Sequence, residues 1–407
     1  MAIRIRTTRN QAEFADAVGA IGHYFGGAFS SEDSLVNFAR VLPFERMHAA
    51  LDGSAIVGGA GVFPLELTVP GGPVTCAGVT VVGVLPTHRR RGILDRMMRA
   101  QLADVRERGE PLAALWASEE TIYGRFGYGM ASQDAMIRAT RGHAELRADL
   151  PGRTGATRLV SHDEAAMMFP RIYDRVRRKS PGFVSRTNAW WEVKRLDDRP
   201  ERRRGAGELN RLLLEIEGRP VGYALYRIKL EWDEPHNASQ VLVIEAIGET
   251  PAATRELWRY LLGIDWVAEI HCELLGVDHP LFLLVQRPNR LHWRVLDGLW
   301  LRLVDVGAAL SARAVTGDGR VTLDVASDPI FPDNAGIWTV EDGVAKRSRR
   351  RADVRLDVQA LASAYLGGFT FAELARAGRV EEIARGGVAR ADALYRVDVK
   401  PWCPEIF

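Results

Sequence analysis

At 407 residues, with 47% hydrophobic and 26% charged side chains, the chain is long enough for two or three domains, each with its own core. Its 54 basic and 52 acidic side chains leave a net charge of +2, which gives no reason to expect nucleic acid, a membrane surface or an acidic substrate. The three cysteines (Cys76, Cys272, Cys403) and nine histidines lack metal-ligand spacing. There is also no signal-peptide pattern and no apolar run of membrane-spanning length, so a cytoplasmic protein without a metal is expected.

Alternation over residues 3–6 predicts a short strand. Apolar spacing at Ala12, Phe14, Ala15, Val18, Ile21 and Phe25 predicts a helix over 10–25, ended by Gly26-Gly27. A second helix is expected over 30–40, with Ser31 or Asp33 as its cap. Residues 47–51, 55–63 and 65–69 read as three strands separated by Asp52-Gly53 and Pro64, and Gly71-Gly72 turns the chain into a strand over 74–85. That strand stops at Pro86. Beyond the turn Arg89-Arg90-Arg91-Gly92, apolar residues at 93, 94, 97, 98, 102 and 105 form one face of a helix over 93–108, and 112–117 is a further apolar strand. Strand, donor-rich turn and helix together can hold a phosphate, because the first amides of a helix have no internal partner and its dipole favours negative charge there. The arginines add cationic charge, and Gly92 lets a ligand approach without a Cβ in the way. A right-handed crossover sets the two strands side by side, with their carboxyl ends opening where ligands of such sheets bind. Gly83, inside the first strand, fits either a close backbone approach or bulge, or simple relief of crowding.

Residues 130–139 read as one more strand, and the polar, glycine-bearing stretch 141–157 as a boundary. Helices are expected over 164–178 and 188–194, strands over 211–216, 222–230 and 239–247, a helix from Thr250-Pro251 to residue 262, and a strand over 267–274. Here strand, turn and helix recur, but the turn is Gly248-Glu249-Thr250-Pro251, and Glu249 would repel a phosphate. A second boundary lies near 286–298. Strands follow over 299–304, 320–325 and 336–340, helices over 357–366 and 370–377, and a last strand over 394–399. The basic run Lys346-Arg347-Ser348-Arg349-Arg350-Arg351 reads as a solvated loop.

Two motifs carry a family resemblance. Arg89-Arg90-Arg91-Gly92-Ile93-Leu94 resembles the R/Q-x-x-G-x-G/A turn of the GNAT acyltransferases, with Leu94 in place of the usual small last residue. Joined to Ala117-Ser118-Glu119-Glu120-Thr121-Ile122-Tyr123-Gly124-Arg125-Phe126-Gly127-Tyr128-Gly129, it is similar to the enhanced intracellular survival (Eis) family of N-acetyltransferases, a similarity that runs to Phe407. The resemblance implies a mixed α/β (α+β) protein. A catalytic GNAT domain over 1–148 binds acetyl-CoA, a second GNAT-like domain over 149–290 lacks the coenzyme turn, and a sterol-carrier-protein-like domain spans 291–407. The backbone amides of Arg90, Arg91, Gly92, Ile93, Leu94 and Asp95 would surround the pyrophosphate, Val82-Gly83-Val84 would pair with the pantetheine arm, and Ser118 and Glu119 would touch the coenzyme through backbone. By the same resemblance Tyr123 is the general acid and the Phe407 carboxylate the general base, the second domain shapes the substrate cleft and subunit contacts, and the assembly is a homohexamer. Tyr128 is the rival tyrosine. An acidic residue is expected directly before the final phenylalanine, where Ile406 stands with Glu405 one place earlier; Glu32 and Asp33 are further candidates for binding the amine. The expected reaction is acetyl transfer to amines of a polycationic small molecule such as an aminoglycoside or polyamine. Protein lysine Nε-acetylation is an alternative, and an apolar-ligand-binding module on an inactive scaffold is another of a different class.

Overall fold

A computed structural model describes residues 3–26, 32–233 and 236–407. Ser30, Ser31 and Gly27, named above as helix borders, lie outside the described residues. In chain order the first strands and helices are β1 (Arg4–Thr7), α1 (Gln11–Gly22), α2 (Glu32–Ala39), β2 (Met47–Asp52), β3 (Ala55–Val69), β4 (Gly72–Val84), α3 (Ile93–Glu107), β5 (Leu112–Trp116), α4 (Glu120–Tyr123) and β6 (Gly129–Met130). The strands continue with β7 (Gln133–Thr140), β8 (Ala156–Leu159), β9 (Asn210–Ile216), β10 (Arg219–Lys229), the two-residue β11 (Trp232–Asp233) and β12 (His236–Asn237), β13 (Gln240–Gly248), β14 (Glu269–Gly276), β15 (Arg294–Asp297) and β16 (Leu299–Leu303). The last five are β17 (Arg320–Val325), β18 (Gly336–Glu341), β19 (Val344–Arg347), β20 (Val354–Leu356) and β21 (Val380–Glu382).

Two compact units result. One comprises residues 1–132, 298–401 and 405–407, the other residues 133–297 and 402–404. The first unit holds a seven-stranded sheet ordered β1-β2-β3-β4-β5-β16-β6 and a five-stranded sheet ordered β19-β18-β17-β20-β21. In the larger sheet only β4 and β5 run parallel, and they pair only from Cys76–Leu112 to Gly78–Ala114. Val62 and Phe63, adjacent in β3, point to opposite faces. Val62 packs with Val79, Ala113 and the α3 residues Met98, Leu102 and Val105. Phe63 meets Phe38 of α2 at 5.7 Å between ring centroids, and Phe38 meets Phe14 of α1 at 6.0 Å. The second unit holds the seven-stranded sheet β15-β7-β14-β13-β10-β9-β8, in which β13 and β14 are parallel and helix Pro251–Leu262 covers the core.

Three strand expectations change. Pro64 does not split its strand, because β2 pairs β3 only as far as Gly61, so the edge at Pro64 away from β4 has no β2 partner that would need its missing N–H. Residues 130–139 divide into β6 and β7, and β7 joins the second sheet while β16 returns to the first. The strand expected over 394–399 does not form: Leu394 and Tyr395 end a helix, Gly387–Tyr395, whose buried residues Gly387, Ala391, Leu394 and Tyr395 follow the helical period, and residues 396–399 are irregular.

Candidate active site

The arginine turn leaves β4 through a short 3-10 turn, Pro86–His88, and enters α3 at Gly92. Gly92 is the N-cap in the left-handed region at φ +70°, with open space where a Cβ would stand, and no side chain caps the first amides of α3. Those amides, on Ile93, Leu94 and Asp95, form an electropositive helix start. The side chains do other work. Ile93 is buried beside Ile3 and Met97, Leu94 packs against the cluster that holds Met98 and Val79, and Asp95 pairs with Arg99 at 2.9 Å.

Each arginine of the turn has a different fate. Arg91 reaches Asp52 at 3.2 Å, and His88 lies 3.5 Å from the same carboxylate. Arg89 lies over the ring of Tyr24 at 5.9 Å, while the Tyr24 hydroxyl donates to the Val84 carbonyl at 2.8 Å. Arg90, exposed and at φ +60°, has no partner among the described residues, so it is the cation left for an arriving anion. Asp52 and Tyr24 were not legible as site residues, since neither belongs to a motif.

Beyond Gly78 and Ala114 the parallel strands β4 and β5 part, and β4 carries a bulge where Gly59 opposes Gly83 but Gly61 opposes Thr80. Val81 sits in that bulge at φ +45°. Val82, Gly83 and Val84 thus present a backbone edge that β5 does not pair. Gly83 itself answers to packing. A Cβ there would stand 2.8 Å from Ile21 Cα, so the glycine admits α1 against the strand. Ser118 and Glu119 are exposed just past the end of β5, at the entry to α4.

Tyr123 closes α4 and is 7% exposed. Burial, and then the charge of Glu119, push its phenol up to about 12, so it stays protonated through the neutral range. Donation to a thiolate of pKa ~8.5 is then uphill by about three units, a larger mismatch than for an ordinary phenol, and is favoured only in step with C–S cleavage. Tyr128, ring to ring with Tyr123 at 6.0 Å, is fully buried, and its hydroxyl has no partner among the described residues. Burial raises its phenol further. Of the two tyrosines, only Tyr123 keeps a path outward.

The C-terminus is docked on the same sheet. The Glu405 carbonyl accepts from the indole Nε1 of Trp116, the last residue of β5, at 2.7 Å, and the Phe407 ring meets Phe63 edge-on at 6.4 Å. Glu405 is buried and Ile406 is 55% exposed. Tyr123 belongs to the cluster of Val62, Val79 and Met98, whereas Phe407 packs on Phe63, which faces the other way from β3. The candidate acid and base therefore approach the β4–β5 fork from opposite faces of the sheet. Trp116 and Phe63, which hold the terminus, carry no sequence signal beyond their place in apolar strands.

The recurring turn in the second unit is closed. Thr250 caps helix Pro251–Leu262 by accepting from Ala253 N at 3.1 Å, and Glu249 is ion-paired with Arg175. In the basic run, Arg347 stacks on Trp338 at 4.1 Å and Arg351 donates to the Ile383 carbonyl at 2.9 Å. Among the described residues no cluster of three or more His, Cys, Asp or Glu is arranged to hold a metal, and no helix is long and apolar enough to cross a membrane.

Comparison with known proteins agrees with this architecture. Family models described as "Acetyltransferase (GNAT) domain" match residues 5–131 and 182–303, and one described as "Sterol carrier protein domain" matches residues 306–404. The chain is 37% identical over 391 residues to an uncharacterized N-acetyltransferase of Streptomyces avermitilis, covering 94% of each. It is 36% identical over 357 residues to the N-acetyltransferase Eis of Mycobacterium tuberculosis, covering 85% of each. The crystal structure of Eis1 from Mycobacterium abscessus superposes with a TM-score of 0.84 at 33% identity, over 99% of this chain and 100% of that one. A GCN5-related N-acetyltransferase from Anabaena variabilis, 19% identical with a TM-score of 0.84 over all of both chains, shares the fold.

Proposed function

We propose that this chain, which belongs to the Eis-type family of GNAT acetyltransferases, transfers acetyl from acetyl-CoA to an amine of a polycationic small molecule such as an aminoglycoside or polyamine. The uncapped start of α3 with the exposed Arg90, which has no partner among the described residues, supports binding of the coenzyme's pyrophosphate there. The backbone edge Val82–Val84 would take the pantetheine arm and turn an amide toward the thioester oxygen. Ser118 and Glu119 lie at the mouth of the fork.

The amine arrives as an ammonium of pKa ~10 and must lose a proton before it can attack. The Phe407 carboxylate takes that proton, directly or through a water. The free amine adds to the thioester carbonyl, the β4 amide stabilises the oxyanion, and C–S cleavage releases a thiolate that takes the Tyr123 proton, while the surplus proton on the attacking nitrogen passes through water to restore Tyr123 and leaves a neutral amide. The observation that carries this reading is the terminus itself, docked on β3 and β5 where a chain end would ordinarily be mobile. The closed turn of the second unit supports one acyl-CoA site per chain.

The test is thiol release by purified protein with acetyl-CoA across aminoglycosides, polyamines and lysine peptides. Acetylation of the first two is expected, with loss on Tyr123→Phe and on appending residues after Phe407. Unchanged rates in both variants would overturn the mechanism, and turnover with peptides alone would move the acceptor to protein lysines.

A further inference from the structure

The sheet of the second unit forks as the first does. β13 and β14 pair from Gln240–Glu269 to Val243–Cys272 and no further. Each strand breaks register at that point. In β13, Glu245 opposes Leu225 while Val243 opposes Tyr226; in β14, Cys272 opposes Ile137 while Leu275 opposes Ala135. A bulge in each strand where a parallel pair ends spreads the two apart.

The chain's own residues 402–404 make their contacts beyond this fork. The Trp402 indole lies on Gly276, the last residue of β14, where a Cβ would come within 3.0 Å of its ring. The Trp402 amide donates to the Pro181 carbonyl at 3.3 Å, and the indole edge meets the Phe183 ring at 5.1 Å. Gly182, between them at φ +95°, leaves room for the Trp402 backbone that a side chain would fill. The Pro404 carbonyl accepts from Arg195, whose guanidinium stands 3.8 Å from Glu245 of β13. Glu245 is fixed in turn by Arg186, at 2.5 and 2.9 Å, and by the Tyr223 hydroxyl, with Arg186 lying over the Tyr173 ring at 3.9 Å. Cys403 and Pro404 are buried. A buried carboxylate held by two arginines and a tyrosine is costly to desolvate, and here one of those arginines reaches the strap.

We infer that the fork of the second unit is a socket for the C-terminal strap, and that Arg195, set by Glu245, is the positioning residue that fixes the strap's register there. An acyl-CoA fork in one sheet thus has its counterpart in a fork closed by the chain itself. Phe407 lies three residues beyond Pro404, so anchoring Pro404 keeps the Phe407 carboxyl group within about 10 Å of it by chain reach alone. The catalytic consequence rests on the proposed role of Phe407; the socket does not.

Hydrogen–deuterium exchange of the C-terminal peptide, read by mass spectrometry on the full chain, tests the socket without reference to activity. In the native protein the Trp402 and Cys403 amides are expected to be protected. Arg195→Met keeps the stem and removes the donor, and Trp402→Ala empties the seat on Gly276. Each should speed exchange in that peptide at least tenfold while the rest of the chain keeps its protection, and Arg195→Lys should restore part of it. Exchange unchanged in both variants would overturn the socket. In turnover assays Arg195→Met should lower kcat about tenfold or more at unchanged KM for acetyl-CoA. If exchange accelerates while kcat holds, the socket stands and the reading of Phe407 as proton acceptor falls.

Discussion

Single residues in this protein show how burial sets chemistry. Asp134, at the second position of β7, is 3% exposed, and burial pushes its carboxyl up to about 8, with the nearby Asp297 adding to the rise and the Cys403 backbone opposing it. An unfolded aspartate titrates near ~3.9, so between about pH 4 and pH 8 the folded state binds the extra proton. Stability contributed by protonated Asp134 is therefore full below about pH 4 and lost as pH rises through about 8. Asp134→Asn should flatten that slope and stabilise the protein by roughly 2 kcal/mol or more near pH 9, with little change near pH 4; urea denaturation at the two pH values checks it. The tyrosine pair separates in the same manner. Tyr123→Phe should cost about 10²–10⁴ in kcat. Tyr128→Phe removes a hydroxyl that has no partner among the described residues, and should not lower the melting temperature and should leave kcat within about twofold.

At the scale of elements, two helices begin after apolar strands and differ at the first turn. α3 starts on Gly92 with no side-chain cap, and helix Pro251–Leu262 starts on Thr250, whose hydroxyl accepts from Ala253 N. Free amides beside Arg90 suit an anion, whereas the capped start, with Glu249 and Arg175 paired next to it, satisfies itself. Arg90→Ala should raise KM for acetyl-CoA about tenfold at unchanged kcat, an effect that shrinks in high salt because the charge is exposed. Thr250→Ala should leave that KM alone and cost about 1 kcal/mol of stability. Steady-state kinetics and thermal melts of both variants distinguish a ligand-facing helix start from a structural one.

Within the first unit, one buried ion pair ties the β16 strand of the larger sheet to the loop that follows β17. Arg302 and Asp328, both inaccessible, meet at 2.5 Å. Asp328 also accepts from the amides of Ile330 and Phe331 at 2.9 Å and from Asn334 at 2.8 Å. A buried pair of this kind stabilises little against an apolar replacement, but removing one partner strands the other. Asp328→Ala should destabilise the first unit by about 3–5 kcal/mol, read as a lower midpoint in denaturant melts followed by a probe in either of its two sheets. A change confined to the smaller sheet would mean that the two sheets unfold independently.

The order of the domains, the arginine turn, the period of α3 and the tyrosine motif were legible in the sequence, because turn chemistry and hydrophobic period are encoded within a dozen or so neighbouring residues. The charge of Glu249 is equally legible as hostile to a phosphate, and the Thr250 cap closes the same helix start. Tertiary structure decided the rest. Which sheet edge receives β7 or β16 depends on surfaces built far away in the chain, and so does the replacement of the strand expected over 394–399 by a helix end at Tyr395 and an irregular stretch after it. Asp52 and Tyr24, which occupy two of the three arginines, and Trp116 and Phe63, which hold the last residues, lie remote in sequence from what they hold, so no local pattern marks them. The final segment is the extreme case. Its prolines and large apolar side chains announce that it is anchored, but where it is anchored follows from two strands parting in a distant sheet, a geometry that exists only once that sheet has folded.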